Sequence, residues 1–172
     1  MRNIALVGFM GTGKTAVSRA LARKLGMKYV STDDLIEKKE KTSISEIFAE
    51  KGEAYFRKAE KNVIKEASLM KGVVIDAGGG AVINPKNVEN LKKHAILVCL
   101  WAEPEAILER TKKYTHRPLL SVGDPLAKIK ELLDRRKPFY ERADYHVHTS
   151  QMTIDRVVNE IQGAIKNDIR NR

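Results

Sequence analysis

The fold of this chain is decided by the stretch Gly8-Phe9-Met10-Gly11-Thr12-Gly13-Lys14-Thr15. This stretch matches the pattern G-x-x-x-x-G-K-[ST], and it joins a short apolar run at residues 4–7 to a helical pattern at residues 16–25. In this setting the glycines let backbone N–H groups close around phosphate oxygens at the N-terminus of a helix. A chance glycine-rich turn is the alternative, and the flanking strand and helix disfavour it. The sequence therefore predicts a P-loop.

Two side chains of the loop have specific tasks in phosphate binding. Lys14 is expected to reach the β and γ phosphates, and the Thr15 hydroxyl is expected to ligate Mg²⁺. The predicted ATP-binding residues of the loop are Gly11, Thr12, Gly13, Lys14, Thr15 and Ala16. The loop indicates a nucleotide but not a reaction. Because the chain contains no Asn-Lys-x-Asp guanine-reading element and is short for a motor or an AAA-type machine, small-molecule and nucleotide kinases remain.

Apolar runs alternate with stretches of helical periodicity along the rest of the chain. The runs lie at residues 4–7, 29–30, 73–75, 95–100 and 145–147. This alternation predicts an α/β fold in three layers, with a central parallel five-stranded sheet flanked by helices. Local signals also predict three helix boundaries: a C-cap at Gly26, a capping box from Ser43 to Glu46 and a first turn at Pro104.

The length and composition fit one soluble domain. With 172 residues, of which 42% are hydrophobic, the chain is large enough for a single core, and we expect one domain over residues 1–172. No apolar run approaches membrane-spanning length, and the single cysteine, Cys99, lies in an apolar run, so we expect a cytoplasmic protein with a buried thiol. The net charge of +10 suits a polyanionic partner, although most basic residues are expected to solvate helix faces.

A kinase needs a second pocket for the phosphoryl acceptor, and three features of the chain could supply it. Asp33 and Asp34 follow the second strand, which places a carboxylate at the edge of the sheet where open α/β folds bind ligands. Phe56 and Arg57 lie early in a helix, and the glycine triplet 78–80 directly follows the third strand, which indicates close approach of a ligand to the backbone. Taken singly each feature is weak, because an ordinary flexible turn also contains glycines.

Residues 112–124 do not fit the alternation. They combine basic residues with Pro118 and Gly123 between two helical patterns, which makes a long connection for a compact domain. Loops of this length are usually functional, so a mobile lid is predicted at about residues 112–124. A flexible surface loop without a function is the alternative, and this stretch considered by itself favours that alternative.

Taken together, these features resemble the landmarks of the shikimate kinase family in sequence and spacing. The landmarks are the P-loop, Thr32-Asp33, Phe56-Arg57, Gly78-Gly79-Gly80, Arg117-Pro118-Leu119-Leu120 and Arg136-Lys137-Pro138-Phe139-Tyr140. The resemblance extends from residue 2 to about residue 165, which makes it far more specific than the P-loop alone. It implies transfer of the γ-phosphoryl group of MgATP to the 3-hydroxyl of shikimate, giving shikimate 3-phosphate and ADP, in the biosynthesis of aromatic amino acids.

The resemblance also implies roles for particular residues. The acceptor-binding region would lie at about residues 32–60, and the residues that hold the acceptor would be Asp33, Arg57, Gly78, Gly79, Gly80 and Arg136. The catalytic residues would be Lys14, Asp33 and Arg117. The physical chemistry agrees, because an arginine fork suits a carboxylate and a carboxylate suits a hydroxyl that must be oriented or deprotonated.

Further residues are implied around this core. Arg117 would contact the transferring phosphate, and Arg110 would lie against adenine, with a solvated helix end as the alternative for Arg110. Glu60, one helical turn after Arg57, would orient that arginine. The apolar wall around the acceptor ring would consist of Ile44, Phe48, Phe56, Pro118 and Leu119, with plain helix core as an equal alternative for Ile44 and Phe48.

One position departs from the family pattern. The pattern places an Asp two residues before the acceptor-binding Asp, where it helps to hold the water shell of the metal, but this chain has Ser31 there. The same family pattern places an Asp or Ser just before the glycine triplet, and this chain has Asp76 there, at the end of the third strand. We therefore predict that Mg²⁺ is supported by Thr15 and, through water, by Asp76. The alternative is that Asp34 has taken over this role.

Two other functions fit parts of the sequence but agree with it less well. A kinase for another polyol acid or for a nucleoside monophosphate shares the P-loop, but the glycine triplet and the paired arginines disfavour it. A nucleotide-dependent RNA-binding module would use the net charge of +10, but the aromatic residues are not interleaved with basic patches. His146 and His148 share one face of a strand without an evident third ligand, so solvent-facing histidines are favoured over a metal pair. We therefore expect ATP and shikimate as partners, no nucleic-acid or membrane partner, and a monomer.

Overall fold

The computed structural model describes residues 2–112 and 123–170, with side chains described up to residue 166. Over these ranges the strands are β1 Asn3–Gly8, β2 Lys28–Ser31, β3 Val73–Asp76, β4 Ala95–Trp101 and β5 Tyr145–His148. The helices are α1 Lys14–Leu25, α2 Thr32–Glu40, α3 Ile44–Leu69, α4 Pro85–His94, α5 Pro104–Thr111, α6 Pro125–Tyr140 and α7 Ile154–Arg170, with a 3₁₀ turn at Ala81–Ile83. Each apolar run singled out in the sequence lies within a strand.

The strands form one five-stranded, all-parallel sheet in the order β2-β3-β1-β4-β5. The central strand β1 lies between β3 and β4, so that Leu6 is paired with both Asp76 and Val98. Every residue of β1 is buried, as expected for a parallel strand that is covered on both faces. The predicted α/β fold with a five-stranded parallel sheet is confirmed.

Helices cover both faces of the sheet and complete the three layers. On one face, α1 and α7 contribute Leu21 and Ile161 to a core that includes Ile4 and Leu6 of β1. On the other face, Ala5 and Val7 of the same strand face a second core, to which α3, α4, α5 and α6 contribute Ile64, Leu91, Ile107 and Ile129. Successive residues of β1 thus serve opposite layers, as the period of two in a strand requires.

The helix boundaries follow from local sequence. The Ser43 hydroxyl accepts from the Glu46 N–H, and the Glu46 carboxylate accepts from the Ser43 N–H at 2.9 Å, which completes the capping box. Gly26 ends α1 in the left-handed conformation with φ 64°, and Pro104 lies in the first turn of α5. All three predicted boundary signals are confirmed.

Helix α3 bends sharply at Gly52, which has φ 78° and ψ 171°. A residue with a Cβ would be strained at this φ, so glycine permits the bend. The bend divides α3, and Phe56 and Arg57 lie in the first turns of its second half. They therefore occupy the early helical position that the sequence predicted.

Two further findings bear on the sequence-based expectations. Cys99 is fully buried in β4, as predicted, and burial raises the pKa of its thiol to about 12, which disfavours the reactive thiolate. Within residues 2–112 and 123–170, no helix is long and apolar enough to cross a bilayer. Most of the predicted lid at residues 112–124 lies outside the described residues, and so do Arg117, Pro118 and Leu119.

Candidate active site

The P-loop follows β1 and leads directly into α1. Its glycines Gly8, Gly11 and Gly13 all have positive φ, at 140°, 76° and 94°. At Gly8 a Cβ would also collide with the backbone of β4, so that no other residue fits there. The hydroxyl of the buried Thr12 donates to the Phe9 carbonyl oxygen at 2.8 Å and closes the loop on itself. The loop is a fixed backbone cradle of the kind that binds phosphate oxygens.

Positive charge is concentrated where the loop enters α1. The Nζ of Lys14 donates to the carbonyl oxygens of Gly8 and Phe9 at 2.9 and 3.1 Å, which holds the ammonium group inside the loop. The N-cap of α1 is Gly13, which has no side chain that could cap the first N–H groups. These N–H groups and the positive end of the helix dipole therefore favour an anion next to Lys14.

Thr15 and Asp76 form a hydroxyl–carboxylate pair beside the loop. Thr15 Oγ1 donates to Asp76 Oδ2 at 2.7 Å, and the Tyr29 hydroxyl donates to the same oxygen at 3.2 Å. Burial and then the charge of Asp76 raise the pKa of Tyr29, so its hydroxyl remains a donor. The carboxylate at the end of β3 is thus fixed by two hydroxyls.

These oxygens suit Mg²⁺, which prefers hydroxyl, carboxylate, water and phosphate ligands. Thr15 and Asp76 are the residues that would hold the ion, as the sequence predicted. Among the residues that the structure describes, no three side chains of His, Cys, Asp or Glu are grouped so that they could hold a metal ion by themselves. The donor set therefore fits an ion that arrives with a nucleotide and takes its other ligands from phosphates and water.

Ser31 has a different structural task. Its Oγ accepts a hydrogen bond from the Asp34 N–H at 3.1 Å and caps the N-terminus of α2. The Asp34 side chain is exposed in the first turn of that helix, where a negative charge is favourable. Both observations favour Asp76 over Asp34 as the carboxylate of the metal site, and the assignment stays a prediction.

Asp33 lies among charged groups from three other elements. A Cβ on Gly78 would lie 2.9 Å from Asp33 Oδ1, so the carboxylate packs on the glycine triplet. Burial and then the charges of Asp76 and Glu60 raise the pKa of Asp33 to about 6, while the charge of Lys14 opposes the rise. A carboxylate whose pKa lies near neutrality, at the edge of a phosphate site, has the properties of a general base.

The glycine triplet lies against other parts of the protein. A Cβ at Gly80 would lie 2.5 Å from a guanidinium nitrogen of Arg57, and one at Gly79 would lie 3.3 Å from the Gly8 carbonyl oxygen. Asp33, Arg57 and the P-loop pack on the triplet and leave no room for a side chain. The close approach of a ligand, which the sequence also indicates, stays a prediction.

The buried carboxylate of Glu60 lies near both arginines of the predicted acceptor pocket. Glu60 is 1% exposed and accepts a hydrogen bond from Arg57 Nη1 at 2.9 Å, so the predicted contact is present. Burial raises the pKa of Glu60, and the charges of Arg57 and Arg136 oppose that rise, which means that both arginines lie near the same carboxylate. The guanidinium of Arg136 also lies 5.4 Å from the centre of the Phe9 ring in the P-loop. The two arginines therefore converge on one region beside the loop.

Three members of the predicted apolar wall lie in the described residues. The ring of Phe56 is buried, and the Phe48 ring lies 4.7 Å from it. Phe48 is 39% exposed, which favours a wall position over plain helix core for this residue. Ile44 packs against the cluster formed by Phe56 and its buried neighbours, so its described contacts are those of helix core.

Arg110 joins the P-loop to the segment after β5. Its guanidinium donates to the carbonyl oxygens of Gly11 at 3.2 Å and of Thr149 at 2.6 Å. The Thr149 hydroxyl in turn donates to the Thr12 carbonyl oxygen at 2.9 Å. The alternative of a solvated helix end for Arg110 is therefore wrong, while its role against adenine stays a prediction.

The two histidines of β5, His146 and His148, are exposed, which agrees with the predicted solvent-facing position. His146 Nδ1 accepts a hydrogen bond from Trp101 Nε1 at 3.0 Å. Both histidines and Trp101 line an open cleft of about 480 Å³ between β5 and α6. None of the predicted site residues lines this cleft.

Three residues that hold the site together are not among those predicted from the sequence. They are Tyr29 on Asp76, Thr149 on the P-loop, and Tyr140, whose hydroxyl donates to the Gly79 carbonyl oxygen at 2.7 Å. Tyr140 ends one of the landmark motifs, which was a usable signal. Tyr29 and Thr149 bond to residues 47 and 137 positions away, and no local pattern reports a contact of that range.

The chemistry of the site follows from its two sides. One side, the P-loop with Thr15 and Asp76, suits a polyphosphate and a divalent cation. The other side has the carboxylate of Asp33, whose pKa is about 6, and the two arginines. Since the two sides meet at Asp33, a phosphate bound at the loop would lie next to a molecule bound at the arginines, as phosphoryl transfer requires. The chain is a P-loop kinase.

Comparison with known proteins identifies the family within this class. A sequence model of the family described as shikimate kinase matches residues 10–166, and the chain belongs to that family. The shikimate kinase of Caldanaerobacter subterraneus subsp. tengcongensis is 47% identical over 161 residues, which cover 94% of each chain. That of Thermoanaerobacter pseudethanolicus is 45% identical, again over 94% of each chain.

Solved structures agree with the sequence relatives. Shikimate kinase from Acinetobacter baumannii in complex with shikimate has a TM-score of 0.92 and 39% identity, and the match covers 98% of this chain and 94% of that one. Shikimate kinase from Bacteroides thetaiotaomicron has a TM-score of 0.89 and 31% identity, with 96% and 98% covered. A gluconokinase from Sinorhizobium meliloti has a TM-score of 0.60 at 14% identity, covering 99% of this chain and 94% of its own, and shares the fold alone.

Proposed function

We propose that this protein transfers the γ-phosphoryl group of MgATP to the 3-hydroxyl of shikimate, giving shikimate 3-phosphate and ADP. The observation that carries the proposal is the position of Asp33 between the two sides of the site. The charge of Lys14 in the P-loop and the charge of Glu60, which lies near Arg57 and Arg136, both act on the pKa of Asp33. Shikimate has a carboxylate and ring hydroxyls, which match an arginine pair and a carboxylate base. The relative from A. baumannii, solved in complex with shikimate, supports this choice of acceptor.

Each side chain has a distinct task in the transfer. Lys14 and the N–H groups of the P-loop bind the β and γ phosphates and oppose the negative charge that spreads as the phosphoryl group moves. Asp33 orients the acceptor hydroxyl and takes its proton as the new P–O bond forms and the bond to ADP breaks. Arg57, Arg136 and the glycine triplet hold the acceptor. Mg²⁺ would neutralise phosphate charge when it is bound by Thr15 and, through water, by Asp76.

The remaining parts of the proposal lie around this centre. Arg110, fixed at the P-loop, lies against the adenine ring. Residues 112–124 close as a lid that excludes water, and Arg117 contacts the transferring phosphate. Family resemblance supports these assignments, and they belong to a single domain over residues 1–172.

A panel of acceptors in an assay coupled to ADP release tests the proposal. Shikimate should support ATP-dependent turnover, whereas gluconate and nucleoside monophosphates should support little. Turnover with a nucleoside monophosphate in place of shikimate would show a different acceptor. ADP release that needs RNA and no small acceptor would contradict the kinase assignment.

The acceptor arginines give a prediction about substrate binding. Arg57→Ala or Arg136→Ala should raise the KM for shikimate much more than that for ATP. Each change removes a charge-assisted hydrogen bond worth about 1.5–3 kcal/mol, which corresponds to roughly a ten- to hundredfold rise. Steady-state kinetics with each substrate varied in turn, and titration calorimetry with shikimate, measure the effect.

Arg135→Ala is the matched control for these variants. Arg135 precedes Arg136, is 71% exposed and pairs with Glu131 on the surface of α6. Its loss should leave both KM values close to those of the wild type. Normal shikimate binding by both Arg57→Ala and Arg136→Ala would show that the pocket is misplaced.

The metal site gives a second prediction. Asp76→Asn should raise the Mg²⁺ concentration needed for half-maximal turnover by about tenfold, because the site loses one of the one or two carboxylates that usually support this ion. Ser31→Ala should change the requirement little, since Ser31 caps α2. Mg²⁺ titrations at fixed ATP measure the requirement. They are made at pH 8, where Asp33, with a pKa of about 6, is ionised.

Asp34→Asn separates the two assignments of the metal carboxylate. If Asp34→Asn raised the Mg²⁺ requirement and Asp76→Asn were silent, the assignment would have to be reversed. The thermal midpoint of Ser31→Ala serves as an internal check, because loss of a helix cap costs about 1 kcal/mol of stability whatever the metal does.

A further inference from the structure

Tyr140, the last residue of α6, is a buried group for which the proposed transfer has no task. It is 1% exposed, and its ring meets the Trp101 ring edge to face with centroids 5.6 Å apart. Its hydroxyl donates to the carbonyl oxygen of Gly79 at 2.7 Å. The end of α6 is therefore joined to the glycine triplet that follows β3.

The Tyr140 hydroxyl also lies beside an arginine of the acceptor pocket. Burial raises the pKa of Tyr140 to about 12, and the charge and hydrogen bonding of Arg136 oppose the rise. The hydroxyl thus stays protonated and donates its proton to Gly79, while its oxygen remains able to accept from Arg136. One hydroxyl thus bonds the glycine triplet and lies one helical turn from Arg136 on the same helix.

The bond to Gly79 fixes the direction of a peptide group. In a trans peptide the C=O and the N–H point in opposite directions, so a Gly79 C=O held toward Tyr140 turns the Gly80 N–H away from it. Within the part of the chain that the structure describes, this N–H has no hydrogen-bond acceptor, and Gly80 packs against the Arg57 guanidinium. Because glycines have no Cβ to restrict rotation, the peptide needs an external anchor to keep this orientation.

We propose that Tyr140 is a positioning residue for the acceptor, which holds the Gly79–Gly80 peptide and Arg136 in the geometry that the acceptor meets. The inference rests on the proposed function, because it takes shikimate as the acceptor. Tyr140 acts through the Gly80 N–H and Arg136 and does not touch the acceptor itself. Its loss should therefore weaken acceptor binding more than ATP binding.

Tyr140→Phe tests the inference, because it keeps the buried ring and deletes the hydroxyl alone. The KM and the calorimetric Kd for shikimate should rise about two- to tenfold, the range expected for one neutral hydrogen bond, and the KM for ATP should stay within about twofold. Tyr55→Phe is the control, since the Tyr55 hydroxyl bonds Glu40 at 2.8 Å on the surface of α2 and α3. Thermal unfolding of each variant is measured in parallel.

The outcomes separate positioning from a structural role. A rise confined to shikimate, with the thermal midpoint close to that of the wild type, supports the inference. Equal changes for both substrates, unchanged shikimate binding, or a Tyr140→Phe protein that does not fold would overturn it. Failure of the proposed function looks different, because the wild-type protein itself would then not phosphorylate shikimate.

Discussion

Replacing Lys14 with alanine is expected to lower kcat by at least about a hundredfold, the scale of losing one preorganised electrostatic contact in an active site. The carbonyl oxygens of Gly8 and Phe9 hold the ammonium group at 2.9 and 3.1 Å, so its position is set before any phosphate arrives. Its removal leaves the loop backbone in place, because the positive φ angles of the glycines and the bond from Thr12 to Phe9 do not involve Lys14. The effect is thus one of charge and not of fold.

The Lys14→Ala substitution should also change the pKa of Asp33, the proposed base. The charge of Lys14 opposes the rise of the Asp33 pKa, so Lys14→Ala should raise that pKa further above about 6. Less of the carboxylate is then ionised at neutral pH. The residual activity of Lys14→Ala should therefore rise with pH over a range in which the wild-type rate is already level, and pH–rate profiles of the two proteins measure this difference.

Lys93→Ala is the control for charge and for helix propensity. Lys93 is an exposed lysine on α4, remote in sequence from the loop, and its loss should leave kcat unchanged. Circular dichroism should show that Lys14→Ala unfolds with a midpoint near that of the wild type. If a folded Lys14→Ala protein turned over at nearly the wild-type rate, that result would contradict the assignment of the nucleotide site.

The phosphate side of the site could be predicted from the sequence because its parts are adjacent in the chain. The positive φ of Gly8, Gly11 and Gly13 and the start of α1 are local properties that a short motif records. The order of the strands, β2-β3-β1-β4-β5, was not predicted, because strand pairing joins remote segments of the chain. The α/β class with a five-stranded parallel sheet could be predicted from the alternation of apolar runs and helical stretches. These features depend on neighbours within a few residues, which is the range that sequence patterns report well.

The acceptor side was less accessible, because its properties arise from distances between remote residues. Asp33, Glu60 and Asp76 are visible in the sequence as carboxylates, but the pKa of Asp33 depends on how near the other two lie and on how far it is buried. The glycine triplet was predicted to be a place of close approach to the backbone, and Arg57 and Asp33 pack there, while contact with a ligand stays a prediction. A sequence shows that a side chain is absent at these positions, and only coordinates show what takes its place.

Asp33→Asn is expected to lower kcat by roughly 10²–10⁴-fold, the usual contribution of a general base. The amide can still accept a hydrogen bond from the acceptor hydroxyl, but it cannot take its proton. For the wild type, kcat/KM for shikimate should fall as the pH drops through about 6, where Asp33 becomes protonated. Rates measured from about one pH unit below that value to about two units above it test both statements.

The same variant should be more stable than the wild type at neutral pH. The pKa of Asp33 is raised from 3.8 to about 6 in the folded protein, so folding disfavours its ionised form. The free energy of unfolding of the wild type therefore falls as the pH rises from about 4 to about 6. Above that range the loss is constant, on the order of 1–3 kcal/mol. Asparagine carries no charge and escapes this penalty. Asp33→Asn should thus unfold at a higher temperature than the wild type at pH 7.5, about 1.5 units above the wild-type pKa.

The pH dependence of that difference separates charge burial from any other effect of the amide. The gain in thermal midpoint should shrink toward zero as the pH falls below about 4, where the wild-type carboxyl is protonated in the unfolded state as well as in the folded state. Glu160→Gln, an exposed carboxylate on α7, should show neither the gain nor the loss of activity. A variant that is both inactive and less stable at pH 7.5 would mean that favourable contacts stabilise the ionised form of Asp33. The assignment of Asp33 as a base whose ionised form is disfavoured by folding would then be wrong. If the variant is more stable and inactive, its inactivity comes from the lost ability to accept a proton. A better-folded protein cannot owe its inactivity to unfolding.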